Sequence, residues 1–283
     1  MLKTQLINRS IRAELENNLY SIAHQTLLKM TQEAKNPVKA TRRSFDILEA
    51  LYEMGSARLT DISETLDLTT STVHNHLSTL VETGFVTRDG DRYHISLQFL
   101  TYGDCARNRY KISGACRNEV QDLAAKTSES VSVAVLEGSQ GYVIAHERGA
   151  TELPIDLYPG KCITLHASSF GKVLLADRPD DAVGSIIDQY GLPARTSRTI
   201  TDRGELLEEL ETVRSRGYAV EDEERLRGIR SLATAVRNEQ GIAVGAIGIT
   251  GPTSRLTDDR LRGSLLESVL HTKNVVELQI THS

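Results

Sequence analysis

The 283-residue chain is poor in cysteine, and the three it has, Cys105, Cys116 and Cys162, stand far apart with no Cys-x-x-Cys pair. That spacing excludes a zinc cluster or a dithiol centre and leaves reduced thiols. A long apolar run is also missing, since no stretch reaches the roughly 18 consecutive apolar residues of a membrane helix. Residues 1–30 lack the basic start, apolar block and cleavage site of a secretory leader, so the sequence reads as cytoplasmic. Positive charge is not in excess either. A net charge of -5 excludes a protein that coats nucleic acid by bulk attraction, and it moves the question to local basic patches. What remains is an ordinary balance of 39% hydrophobic and 25% charged residues, over a length that suits two folded units better than one core.

Catalytic and cofactor patterns are scarce as well. Gly171-Lys172 lacks the glycine spacing and the Ser/Thr of a phosphate loop, and Gly245, Gly248 and Gly251 do not follow the dinucleotide pattern. His146-Glu147 has no second histidine at metalloprotease spacing, and Cys162 with His166 supplies too few ligands for a metal. No Gly-x-Ser-x-Gly elbow is present. The sequence therefore reads as a non-enzyme with no catalytic residues, no metal and no cofactor. The rival enzyme class, a cysteine-dependent oxidoreductase, needs paired thiols that this spacing does not offer.

Four parts separate along the chain: an extension over 1–36, a small domain over 37–100, a linker over 101–115 and a larger domain over 116–283. In the extension Leu6, Ile11, Leu15, Leu19 and Ile22 follow roughly one stripe and predict a helix over Arg9–Met30. The same residues also read as sequence upstream of a translation start at Met30.

After Asn36-Pro37, a segment opening at Thr41 carries Phe45, Leu48, Leu51 and Tyr52 at helical spacing, a first helix ending by Gly55. Thr60 is placed to cap a short second helix that closes near Leu66. A third helix, from about Thr69 to Thr83, buries Val73, Leu77, Leu80 and Val81. Its opposite face carries Ser71, Asn75, Ser78, Thr79 and Glu82, with Thr72 beside them and His74 and His76 at the margins. One of these two histidines packs inward on this reading. Short hydrogen-bonding side chains suit close approach to phosphates and base edges, and the helix start at Thr69 and Thr70 adds free N–H groups and positive dipole. Asn75 is the best base reader, because its amide donates and accepts in a bidentate contact to adenine. Phe85-Val86, the turn Asp89-Gly90-Asp91 and Tyr93-His94-Ile95 form a two-stranded wing. Arg88 and Arg92 bracket its tip, and with Arg42 and Arg43 they make a phosphate clamp for double-stranded DNA. A protein-docking module is the alternative reading of the same elements.

The order of these residues, VKATRRSFDILEAL followed by LTDISETLDLTTSTVHNHLSTLVETGFVTRDGDRYHISLQFL, resembles the N-terminal domain of IclR-type transcription regulators. Ser71-Thr72-Val73-His74 matches the family's third-helix core, which Arg-Leu commonly follows. Here Asn75-His76 stands instead, which implies a different operator sequence.

Leu97–Ile112 reads as a polar helix spanning two domains and as a dimer seam, and Cys116–Thr127 as another helix. Beyond them, strand patterns over VSVAVLE, QGYVIAHER, KCITLH, YAVEDEE, RSLATAVRN and IAVGAIGITG alternate with helices at about Ser168–Leu175, Asp180–Tyr190, Asp202–Gly217 and Asp258–Ile280. The expected class is α+β, with one antiparallel sheet flanked by helices. In LHASSFGK the residues Leu165, His166, Ala167, Ser168 and Gly171 place a helix start of small residues, with N–H groups open to a carboxylate or phosphate. The glycines of the last strand either make room for a ligand or ease packing. The resemblance extends through Gly217-Tyr218 with the acidic run Glu221–Glu224 and through Gly228-Ile229-Arg230-Ser231. It implies a GAF/PAS-like effector domain whose pocket is lined by Leu165, Gly171, Glu221, Ile229, Ser231, Gly248 and Thr250, with Glu221 where Asp is usual and Ser231 where Cys is frequent. The whole then reads as a homodimer or dimer of dimers that binds operator DNA under control of a small-molecule effector, an organic acid or sugar derivative. A metabolite-binding protein whose winged helix docks a partner is the alternative.

Overall fold

A computed structural model describes residues 35–150 and 156–282, so the helix expected over Arg9–Met30 lies outside the described residues. The chain divides into two compact units, Met1–Asp104 and Cys105–Ser283.

In the first unit, helix α1 spans Lys39–Met54 and stops at Gly55, whose φ of 67° only glycine adopts without strain. A two-residue strand β1 (Ala57–Arg58), absent from the sequence reading, precedes α2 (Leu59–Thr65). Thr60 does not cap α2, because the helix starts one residue earlier. Asp61 does so instead, its Oδ2 accepting from the Arg58 N–H at 2.9 Å. Helix α3 (Thr70–Glu82) follows, then β2 (Val86–Asp89) and β3 (Arg92–Ile95). The sheet order is β1-β3-β2, so the expected hairpin gains a third strand through Ala57↔Tyr93. The core holds Ile47, Leu51, Ala57, Ile62, Val73, Leu77, Leu80, Val86 and Tyr93. The stripe expected on α1 is rotated, since Ile47 and Ala50 turn inward while Phe45 and Tyr52 stay exposed. Val81 is exposed too, and Leu80 takes the inward position.

Helix α4 (Gln98–Arg107) crosses the division between the units. The continuous helix expected to Ile112 breaks at residues 108–110, and α5 (Lys111–Ala115) starts afresh. The break lets Ile112, 1% exposed, turn into the core of the second unit, which a solvated polar helix does not permit.

The second unit continues with α6 (Arg117–Thr127), β4 (Ser130–Glu137), β5 (Gln140–Glu147), β6 (Cys162–Ile163), α7 (Ser169–Ala176), α8 (Asp180–Tyr190) and α9 (Arg203–Arg216). Then come β7 (Tyr218–Asp222), β8 (Ile229–Arg237), β9 (Ala243–Pro252), α10 (Asp258–Arg262) and α11 (Ser264–Thr281). Gly263 splits the helix expected over Asp258–Ile280 into α10 and α11. The six strands form one antiparallel sheet of order β6-β5-β4-β9-β8-β7, as the α+β reading expects. Alternate residues of each strand feed two cores. Val131, Val133, Leu232, Val236, Ile247 and Ile249 meet α6 and α11 on one face. Ala134, Ala219, Ala233 and Ala246 meet α7 and α9 on the other. Small residues on that second face let α7 lie close across β7, β8, β9 and β4.

Candidate functional site

Helix α3 is fixed by its cap and its buried side. The Thr69 Oγ1 accepts from the Thr72 N–H at 3.3 Å and lies 2.9 Å from Thr72 Oγ1, so these two hydroxyls serve the helix start first. Burial of Val73, Leu77 and Leu80 turns Ser71, His74, Asn75, Ser78 and Thr79 to solvent, and Thr70 is exposed at the first turn. The Asn75 amide has no partner among the described residues, whereas the Thr79 hydroxyl already donates to the Asn75 carbonyl at 3.1 Å. His76 is the inward histidine, its Nδ1 2.8 Å from Ser44 Oγ, and His74 is the exposed one. On the wing Arg88 donates Nε to the Gly90 carbonyl at 2.8 Å and lies over the Tyr93 ring, while Arg92 Nη1 reaches Ser56 Oγ at 3.0 Å. Arg92 thus ties the hairpin to the turn before β1, and Arg88 keeps its outer nitrogens for solvent or phosphate. Arg42 and Arg43 stand exposed near the start of α1.

The second unit gathers polar groups on the sheet face beneath α7. Register places Ser130, Thr250, Ser231 and Glu221 side by side across β4, β9, β8 and β7. All four are buried. Ser169, the first residue of α7, donates to Ser231 Oγ at 2.8 Å, and Ser231 donates to Glu221 Oε2 at 2.9 Å. The Arg225 N–H donates to Glu221 Oε1 at 3.1 Å. Ile229, Ser231, Glu221, Gly248 and Thr250 therefore share one face, and α7 brings Ser168, Ser169 and Gly171 over it. Leu165 joins the core between α7 and β5 instead, next to buried Ala167. His166 Nε2 lies 3.2 Å from the Pro193 carbonyl and so pins the 191–199 loop, with burial holding the imidazole below its ordinary pKa.

One expectation about this site changes, and one of two alternatives is decided. The Gly171 N–H is not open, because Ser168 Oγ accepts from it at 3.1 Å as the cap of α7. The first two N–H groups of α7, at Ser169 and Phe170, are the ones with no acceptor among the described residues. The glycines of β9 do not leave a bare face either. A Cβ at Gly248 falls 2.2 Å from the Leu232 carbonyl, one at Gly245 2.8 Å from Ile112, and one at Gly251 2.5 Å from Leu256. Close approach of backbone and side chains, not ligand room, requires these glycines.

Burial raises the Glu221 carboxyl above the usual carboxylate range against the pull of Arg225. It raises Glu224 likewise, although Lys172 of α7, 1% exposed, donates Nζ to Glu224 Oε1 at 2.6 Å. Five shielded polar atoms among the described residues have no hydrogen-bond partner: Arg107 Nε, Arg230 Nε, and Thr250 Oγ1, Glu224 Oε2 and Arg225 Nη2, the last three on residues linked through Ser231 and Glu221. Native interiors leave few such atoms.

A family model of the bacterial transcriptional regulator IclR C-terminal domain matches residues 106–277, and one of the IclR helix-turn-helix domain matches 40–90. The chain belongs to the IclR family. The HTH-type transcriptional repressor AllR of Escherichia coli (strain K12) is 33% identical over 230 residues, 80% of this chain and 85% of that protein. The crystal structure of a transcriptional regulator from Rhodococcus sp. RHA1 aligns at TM-score 0.76 and 27% identity, covering 86% of this chain and 98% of the other. An IclR homolog from Microbacterium hydrocarbonoxydans, solved with 4-hydroxybenzoate, aligns at TM-score 0.75 over 87% of this chain and 100% of its own, at 18% identity. This IclR-family chain is thus a DNA-binding transcriptional regulator with an effector-binding C-terminal domain, and not an enzyme. Among the described residues no helix is long and apolar enough to cross a membrane.

Sequence reasoning missed Ser169 as the link from α7 to Ser231, the buried Lys172–Glu224 pair, Arg225, and the pairing of Ser132 Oγ with His146 Nδ1 at 2.9 Å. Only the polar Ser-Ser dipeptide before Phe170 hinted at any of these.

Proposed function

We propose that this regulator reads operator DNA with the exposed face of α3, and that a small organic acid bearing a hydroxyl, or a sugar-derived acid, controls it from the site beneath α7. The observation that carries the effector half is the cluster of unpartnered buried polar atoms at Thr250, Glu224 and Arg225. Serine and threonine hydroxyls there both donate and accept, as a hydroxy acid requires. The 4-hydroxybenzoate bound by the Microbacterium homolog is a compound of this chemistry.

On the DNA side Asn75 is the base reader, Ser71, Thr72 and His74 line the approach, and Arg42, Arg43, Arg88 and Arg92 flank it toward phosphates. A single winged helix reads too little DNA to be selective, so the working form is a homodimer or dimer of dimers. Exposed Phe45 and, on or beside α4, Leu97, Leu100 and Tyr102 supply apolar surface for that assembly.

Asn75→Ala is expected to weaken binding to the chain's own upstream region by roughly 1–3 kcal/mol while leaving random DNA unchanged. Gel shifts on both DNAs at several salt concentrations check this. Equal loss on the two DNAs removes Asn75 as base reader, and no specific shift by the wild type at low salt favours a docking module.

A further inference from the structure

Arg225 follows Glu224 in the loop between β7 and β8, and that loop is held from two sides. Lys172 of α7 grips Glu224, while Thr196 Oγ1 donates to the Glu223 carbonyl at 2.7 Å and Thr199 Oγ1 to the Glu224 carbonyl at 2.6 Å. Arg225 as a whole residue is half-buried. Its Nη2 is shut off from solvent and unpartnered among the described residues. Arg195 lies within electrostatic reach, and its own side chain has no hydrogen bond or ion pair among the described residues.

Glu221 and Asp156 act on Arg225 through charge alone, and neither bonds to its guanidinium among the described residues. Asp156 forms an ion pair with Lys161. Both Glu221 oxygens are engaged, one by the Arg225 backbone N–H and the other by Ser231. Burial further favours the neutral form of Glu221 and works against the charge on Arg225 itself. A shielded guanidinium whose neighbouring acids are bonded elsewhere keeps hydrogen-bonding capacity for an anion from outside the chain. The planar fork of arginine fits a carboxylate through two parallel hydrogen bonds.

We infer that Arg225, with Arg195 beside it, is the charge-recognising residue of the effector site and selects ligands that carry a carboxylate. The inference rests on the effector reading above and names which group takes the acid. The hydroxyl row of Ser231 and Thr250 then meets the remainder of the ligand, so that acid and hydroxyl are read by different elements.

The test uses the full chain, with glycolate, lactate and 4-hydroxybenzoate as probes, their neutral amides as controls, and inorganic phosphate as a separate arm. Calorimetry on wild type, Arg225→Gln and Arg225→Lys gives affinities, and thermal melts without ligand give stability. Expected is binding of an acid but not its amide, a loss of at least about 30-fold in Arg225→Gln, and a smaller loss in Arg225→Lys, which keeps the charge but not the fork. The ligand-free melting temperature of Arg225→Gln is expected to stay level or rise by about 2 °C, because a desolvated guanidinium with an unpaired N–H is removed. A fall of about 4 °C or more makes the guanidinium structural and overturns the inference, as does equal acid binding by Arg225→Gln. Phosphate binding as tightly as any acid overturns the choice of carboxylate. Amides binding as well as acids also overturn the inference yet leave a functioning effector site. Should no compound bind the wild type, the ligand-free melting temperature alone decides.

Discussion

Lys172→Met is expected to cost the effector domain about 3–5 kcal/mol at neutral pH, the usual result of removing one partner from a buried ion pair. Lys172 Nζ lies 2.6 Å from Glu224 Oε1 and 3.7 Å from Glu209 Oε1, so its loss leaves two acids facing each other, one of them shielded. Hydrophobic gain from the methionine does not offset an unpaired carboxylate. Because burial already holds Glu224 above the usual carboxylate range, the sign of the pH dependence follows. A folded pKa above the unfolded one contributes stability at low pH, which is lost as pH rises through the folded value. The variant is therefore expected to approach the wild type in acid, where Glu224 takes up a proton, and to fall away as pH rises through its elevated pKa. Urea unfolding of the full chain followed at several pH values measures this, provided the two units' transitions are separated. A loss below about 1 kcal/mol at neutral pH, or a deficit that grows on acidification, contradicts the role assigned to the pair. Lys172→Met combined with Glu224→Gln is expected to recover much of the loss, since no bare charge is left.

Gly171→Ala is expected to destabilise the same domain despite improving helix propensity. An alanine in a helix interior gains about 1 kcal/mol over glycine. Here the added Cβ falls 2.2 Å from the Leu165 carbonyl oxygen and 2.3 Å from its Cα, both backbone atoms that do not swing aside. Relief requires α7 to lift from the segment leading into it, at a cost of about 3 kcal/mol or more, so the clash wins over propensity. Lifting α7 also separates Ser169 from Ser231, so the variant is expected to lose effector response while specific DNA affinity persists. Melting curves and gel shifts check the two halves. A variant more stable than the wild type shows that the helix start has slack, and the site geometry described above is then wrong.

The sequence was most legible where contacts are local. Helix α3 was placed within a residue at either end because its apolar positions repeat along one turn after another and Thr69 supplies an ordinary cap. The hairpin of β2 and β3 was legible because Asp89-Gly90-Asp91 forces a turn. The rotation of α1 was not, since Phe45 and Ile47 are equally apolar and only the packing of α3 decides between them. The polar row under α7 was invisible for a related reason. Ser130, Ser231 and Thr250 are unremarkable residues in strands far apart in sequence, and only the order β4-β9-β8-β7 makes them neighbours. Lys172 and Glu224 are 52 residues apart, and nothing in either local sequence names the other. The family resemblance placed Glu221, Ser231 and Thr250 together, but it was silent on Arg225.

The run from Ser169 through Ser231 to Glu221 has one further consequence. Each hydroxyl rotates about a single bond, so the direction of the run is set by whichever end is the stronger acceptor. A scaffold of this kind is chemically uncommitted. The strands and α7 hold the oxygens in place, whereas on the inference above the guest is selected by a loop residue, Arg225. A different guest is then expected to be admitted by exchanging that loop side chain while the sheet beneath stays as it is.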